Sequence, residues 1–225
     1  MERDGDIVLR ISPERLEIVL EQQKEGGVTA RKNISPEALA GCILGSRYDE
    51  EARSTGLLPE GCIAAVMEDV NTTYFIRCPD LYADISYYGT EYLHFPIPRL
   101  VFGFQYLGKE GKVGSCRLCV VKDGRLTADT PTYHYPFSNV SCGDGHICTG
   151  NNALPAYSDP LRLHTLMGYI LRLPNNNDHF LSAHNRPHLG YRDLLELMKD
   201  KTPGFYYSDV LVEDGKTLKT FLNGR

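Results

Sequence analysis

The sequence predicts an α+β fold in which an antiparallel β-meander is followed by an irregular loop and then by C-terminal helices. Residues 62–67, 73–78, 84–88 and 100–107 are rich in β-branched, aromatic or other apolar side chains, punctuated by Gly, Pro and Asn. Residues 127–157 show no sustained periodicity and concentrate Pro, Asn, Gly and Ser. Beyond them apolar residues return at helical spacing, as Leu163, Leu166, Met167 and Ile170 and again as Leu194, Leu195 and Met198. Strands followed by helices, rather than alternating with them, is the α+β order.

In chain order, residues 7–11 and 16–20 are short apolar segments separated by Ser12-Pro13. They read as paired strands, with a helix open for the second because residues 14–23 contain good helix formers. A helix start follows: Ser35 can cap, Pro36 suits the first helical position, and Ile34 can pack over Leu39. Leu39, Cys42 and Ile43 then share one face, so Cys42 is expected in a core. The acidic run Asp49-Glu50-Glu51 is expected on a solvated face. Within the meander the strongest hairpin signal is Gly108-Lys109-Glu110-Gly111, between residues 100–107 and 112–122, with a second turn at Asp123-Gly124. Asp159-Pro160 pairs a helix cap with a first-position proline. These signals divide the chain into a β-rich N-terminal extension, residues 1–55, with strands and one helix packed on the core, and a main domain over residues 56–225.

Composition narrows the function. A chain of 225 residues with 42% hydrophobic and 24% charged side chains can bury a real core. Its formal charge of −5, with no concentrated basic run, argues against nucleic acid as the main partner. The charged start and the lack of a long apolar run predict neither a signal peptide nor a membrane span, and hence a cytoplasmic protein. The seven cysteines form an odd set without a small-scaffold spacing, so reduced thiols are expected.

The long loop holds the chemistry. A loop of this length inside a domain is more often functional than decorative. It contains Asn139-Val140 and then Gly145-His146-Ile147-Cys148-Thr149-Gly150-Asn151-Asn152. A thiolate suits acyl transfer through a thioester. A side-chain amide such as that of Asn139 can donate to a developing oxyanion or brace the loop that presents the thiol. Taken alone, Cys148 would be a buried structural thiol and Asn139 a turn residue.

The loop resembles the active-site segment of ubiquitin-conjugating enzymes, where an Asn-(Ile/Val) pair ends a His-Pro-Asn motif and Gly-x-(Ile/Val)-Cys follows. Phe137 and Ser138 stand where that motif has His and Pro. A closer resemblance is to the prokaryotic ubiquitin-conjugating-like proteins of family D, which include protein B of the PRTRC system. Their pattern is matched by Leu58-Pro59, residues 98–102, residues 136–140, residues 145–151 and Tyr191-Arg192-Asp193-Leu194-Leu195. The likeness spans about residues 55–200.

The resemblance implies a ubiquitin-conjugating-enzyme-like fold and an acyltransferase. Cys148 would accept a ubiquitin-like protein from an activating, adenylating enzyme and pass it to an amine, with Asn139 in support. Gly150, Asn151 and Asn152 would border the groove for the extended tail. Asp178, His179 or His184 would help the incoming lysine lose its proton. No cofactor or metal is implied, and a deubiquitinase-like protein from the same operon joins the expected partners.

Other classes remain open on the residues. The same fold could act as a catalytically inactive binding module for a ubiquitin-like protein, although inactive eukaryotic relatives generally lack the cysteine. A Cys-His hydrolase would pair Cys148 with His134 or His184. Cys116 and Cys119 have metal-ligand spacing, but they fall on a predicted strand, where residues three apart face opposite sides. His184 and His188 bracket Pro187, which argues against a helical metal pair.

Overall fold

A computed structural model describes residues 6–12, 14, 17–24, 27–45, 56–122 and 125–224. The expected turn at Asp123-Gly124 and the acidic run at residues 49–51 lie outside the described residues. The chain divides into two compact units, Met1–Thr55 and Gly56–Arg225.

In the first unit, β1 (Asp6–Ser12), β2 (Glu17–Lys24) and β3 (Gly27–Ile34) form an antiparallel sheet in that order. The second apolar segment is therefore a strand rather than a helix, with Leu20 opposite Leu9 and Ile18 opposite Ile11. Cross-strand apolar pairs of this kind outweigh the helix propensity of its Glu and Gln residues. Glu21 is buried and is paired with Arg10 at 2.9 Å and Arg31 at 3.3 Å. Helix α1 (Pro36–Gly45) starts as its sequence dictates, the Ser35 hydroxyl accepting the Ala38 N–H at 3.1 Å. Cys42, however, is exposed, as is Ile43. Spacing decides which side chains share a helical face, whereas burial needs a second element against that face.

The second unit is built from β4 (Cys62–Glu68), β5 (Asn71–Cys78), β6 (Leu81–Tyr87), β7 (Thr90–Ile97), β8 (Leu100–Leu107), β9 (Lys112–Val121) and β10 (Pro131–Tyr133). Helices α2 (Leu166–Leu171) and α3 (Tyr191–Met198) follow, then β11 (Glu213–Thr217) and α4 (Leu218–Leu222). An antiparallel sheet runs in the order β11-β10-β9-β8-β5-β4, and β6 with β7 forms a separate ribbon. Asp159 caps a 3-10 turn leading into α2, its carboxylate accepting the Leu161 N–H at 2.9 Å.

The alternation of the strands sorts side chains between two cores. Ile76 of β5 and Phe102 and Phe104 of β8 share the larger core with Phe95 of the ribbon, Leu166 of α2 and Leu194, Leu195 and Met198 of α3. Phe75, Val101 and Val121 point the other way and meet Leu218 and Phe221 of α4. Cys116 falls in the first core and Cys119 in the second, on opposite faces of β9. Burial pushes the Cys116 thiol up to about 12 and raises that of Cys119 as well, so both stay protonated at neutral pH. Among the described residues no helix is long and apolar enough to cross a membrane.

Phe102 is fully buried and stacks on Phe104, whereas Leu93 on the ribbon is exposed. Phe102→Ala should cost about 3–5 kcal/mol by urea denaturation, and Leu93→Ala no more than about 0.5 kcal/mol. Comparable losses at the two positions would contradict this placement of the core.

Candidate active site

The chain leaves β10 and passes through the larger core before it turns toward the surface. Phe137 anchors this passage, with its ring 5.9 Å from Phe95, 5.2 Å from Tyr135 and 6.0 Å from Tyr206, all in edge-on contact. Ser138 is buried next to it, with its hydroxyl 3.0 Å from Asn175 Oδ1 and 3.5 Å from the Tyr191 hydroxyl. Phe137 and Ser138 directly precede Asn139. They fix the approach to Asn139 by packing and a buried hydrogen bond.

Asn139 then adopts φ 65°, a left-handed conformation that Asn tolerates better than most residues. In that turn its N–H donates to the Asp178 carbonyl at 2.8 Å, and its carbonyl accepts the Cys148 N–H at 2.8 Å. Its side-chain Nδ2 donates to the Pro174 carbonyl at 3.0 Å. One residue thus joins three segments, including the one that carries the thiol.

From Asn139 the chain forms a short hairpin. Val140 bridges Ile147, and the Ser141 N–H donates to the His146 carbonyl at 2.9 Å. The Asp144 carboxylate accepts the His146 N–H at 3.0 Å, a bond that holds its carboxyl below the usual range. The returning limb docks on β9, where Leu118 N–H donates to the Gly145 carbonyl and Ile147 N–H to the Cys116 carbonyl, each at 2.9 Å. On β9, strand β10 pairs only with Val120 and Val121, so the edge from Cys116 to Leu118 takes the hairpin. The approach is close enough to demand glycine. Gly145 has φ +73°, and a Cβ there would lie 2.3 Å from the Leu118 carbonyl oxygen.

Val140 and Ile147 are buried beneath the hairpin, while Cys148 is exposed. The thiol therefore projects to solvent from a backbone held on both sides. Of the other cysteines, Cys78, Cys116 and Cys119 are buried and Cys62 is half-buried, and desolvation raises the thiol of each. After Cys148 the chain turns again, with both the backbone N–H and the side-chain amide of Asn152 donating to the Thr149 carbonyl, at 3.0 and 2.9 Å. Gly150 and Asn151 are exposed alongside.

The three residues considered for proton transfer separate. Asp178 reaches the site through its backbone carbonyl on Asn139, while its exposed carboxylate accepts from Asn176 Nδ2 at 2.8 Å. His179 follows it at φ 62°, also exposed. His184 instead stacks on His134, with ring centroids 3.9 Å apart and planes 3° from parallel. Among the described residues no histidine makes a hydrogen bond to Cys148, so no Cys-His pair of the hydrolase type is formed. In the segment 174–178 only Asp178 was singled out by the sequence, although the run of Pro, Asn and Asp is a turn signal. Ribbon β6–β7 holds it in place, with Asn175 N–H donating to the Ser86 carbonyl at 2.9 Å and the Tyr87 hydroxyl to Asn177 Oδ1 at 2.8 Å.

Residues 52–165, a stretch containing both Asn139 and Cys148, match the family model of prokaryotic E2 family D. The chain belongs to that family. No curated protein and no solved structure matches the chain. The family D match ends in the turn before α2, so residues 174–178, α3, β11 and α4 lie outside it.

Two predictions follow from this geometry. Asn139→Ala removes a hydrogen bond and places an unsuited residue in a left-handed turn, at a combined cost of about 2 kcal/mol. Asn139→Gly keeps the turn and should cost only about 1 kcal/mol; urea midpoints compare the two, and equal losses would argue against strain at φ 65°. The stacked histidines give the second. Burial lowers the pKa of both, and Asp214 opposes this at His134 while Lys216 adds to it. The unfolded chain then binds more protons as pH falls. The stabilisation from this pair is complete above the unfolded value of about 6.5 and is lost as pH drops through the lowered folded values. Stability should therefore decline below about pH 6.5, and less steeply in a His134→Gln, His184→Gln double variant.

Proposed function

We propose that this family D chain carries a ubiquitin-like protein as a thioester on Cys148 and passes it to an amine on a target. The observation that carries the reading is Cys148 itself, an exposed thiol on a backbone locked to Asn139 and β9 within the family D stretch. In the same reading residues 56–225 are a ubiquitin-conjugating-enzyme-like fold and residues 1–55 an extension to it. The partners are a ubiquitin-like protein and the adenylating enzyme that activates it.

In the first step the Cys148 sulfur, as thiolate, attacks the carbonyl carbon of the thioester joining the ubiquitin-like C-terminus to the activating enzyme. The tetrahedral intermediate collapses, its bond to the activating enzyme's sulfur breaks, and that sulfur takes up the proton that Cys148 gave. In the second step an amine attacks the new thioester, the bond to Cys148 breaks, an amide forms, and the amine's proton returns the thiol. Asn139 acts as the brace in both steps, because its Nδ2 already donates to Pro174 and its backbone fixes the Cys148 N–H. The carboxylate of Asp178, whose own backbone carbonyl accepts the Asn139 N–H, or His179 beside it receives the amine's proton and relays it to the departing thiolate. His184, stacked on His134, has no part in that step. The extended tail lies across the exposed Gly150, Asn151 and Asn152.

Mixing the chain with the ubiquitin-like protein, its activating enzyme and ATP should give an adduct that thiols cleave. Cys148→Ala should abolish it, Cys142→Ala should leave it intact, and Cys148→Ser should replace it with a thiol-resistant ester. A wild-type chain that binds the ubiquitin-like protein but forms no adduct would instead be a binding module.

A further inference from the structure

The tip of the Cys148 hairpin is held by an element far away in sequence. Strand β11 pairs with β10 through Pro131 opposite Thr217 and Tyr133 opposite Glu213, with an irregularity in register between them. The extra residues on β11 form a bulge, Asp214-Gly215-Lys216, in which Gly215 takes φ +74°. The Asp214 carboxylate shapes the bulge by accepting the hydroxyl of buried Thr132 at 2.8 Å and the Lys216 N–H at 2.8 Å. Bulges re-aim side chains, and this one sends the Lys216 ammonium across to donate to the Gly143 carbonyl.

That contact matters because packing does little for the tip. Cys142, Gly143 and Asp144 are exposed, and a small cavity of about 40 Å³ lies behind them, bordered by Thr132, His134, Asp214, Lys216 and Phe221. Among the described residues Lys216 is the only donor to the Gly143 carbonyl. Opposite the tip, the Ser141–His146 bond and the Asn139–Cys148 bond share the same short hairpin, so play at one end is transmitted to the other.

We propose that Lys216 is a positioning residue for Cys148, clamping the hairpin tip through the Gly143 carbonyl so that the thiol is presented in a single orientation. The inference rests on the reading of Cys148 as the thioester-forming residue. It adds to that residue a control element outside the matched family stretch.

Lys216→Met keeps the length and packing of the stem but removes the donor, and Lys216→Arg restores a cationic donor. In the full-length chain, Lys216→Met should speed amide hydrogen exchange over residues 141–147 about fivefold, and Lys216→Arg should return it to within about twofold of wild type. In single-turnover charging, the maximal rate should fall about fivefold for Lys216→Met, while the activating-enzyme concentration for half-maximal rate stays unchanged. Lys216→Leu, which also lacks a donor, provides a second variant should Lys216→Met fail to fold. Unchanged exchange in the variants would overturn the clamp, whether or not the wild type forms a thioester. Faster exchange with an unaltered charging rate, or a loss only in half-saturation, would overturn the positioning role. Absence of charging in the wild type would overturn the role of Cys148 and, with it, this inference.

Discussion

The hydrogen bond from the Cys148 N–H to the Asn139 carbonyl is the contact on which the rest of the site depends. It closes the hairpin at its base and sets the direction in which the thiol leaves the backbone. The bond exists because Asn139 occupies a left-handed turn, which points its carbonyl at Cys148 while its N–H and side-chain amide reach the 174–178 segment. Few residues tolerate that conformation, and fewer also supply an amide donor. An asparagine is therefore favoured on conformational and on bonding grounds together.

The backbone on both sides of the thiol is tied to the core and the sheet. Phe137 packs among aromatic rings on the near side of Asn139, and Ile147 is buried and bonded to β9 on the near side of Cys148. The short β10 makes this possible, since it leaves β9 with an unpaired edge that the hairpin occupies. In the proposed function, an accessible nucleophile on a mount bonded at both sides limits the ordering cost that a reacting partner must meet. It also ties the integrity of the site to that of the sheet, so a substitution in the sheet would reach the thiol through β9.

Much of the sheet was legible because its signal is local. The strands at residues 62–67, 73–78 and 100–107, the turn at residues 108–111 and the opposed facing of Cys116 and Cys119 follow from alternation and turn chemistry over a few residues. The ribbon strand β7 was missed, since His94 breaks its backbone at φ 51° and prolines crowd its end. Strand β11, with the sequence Glu213-Asp214-Gly215-Lys216-Thr217, carries no apolar alternation and is a strand only because β10 pairs with it. Cys42 was misplaced for the converse reason, since helical spacing alone does not bury a face, and the residue is exposed. At the candidate site, Asn139, Gly145 and Cys148 stand out through the resemblance of their segment to family D, whereas Cys148 taken alone would be placed in a core and is in fact exposed. Pro174, Asp178 as a backbone acceptor, and Lys216 were not legible, because hydrogen bonds spanning dozens of residues leave no pattern in either segment.

The account rests on one claim: that Cys148, and no other exposed thiol, receives the acyl group. Cys42 and Cys142 are also exposed, so the claim discriminates. The most direct measurement is peptide mass spectrometry of the adduct, trapped at acid pH seconds after mixing with the charged activating enzyme. The account predicts the C-terminus of the ubiquitin-like protein linked to the peptide containing Cys148. Linkage to Cys42, to Cys142 or to a lysine, with Cys148 unmodified, would contradict it.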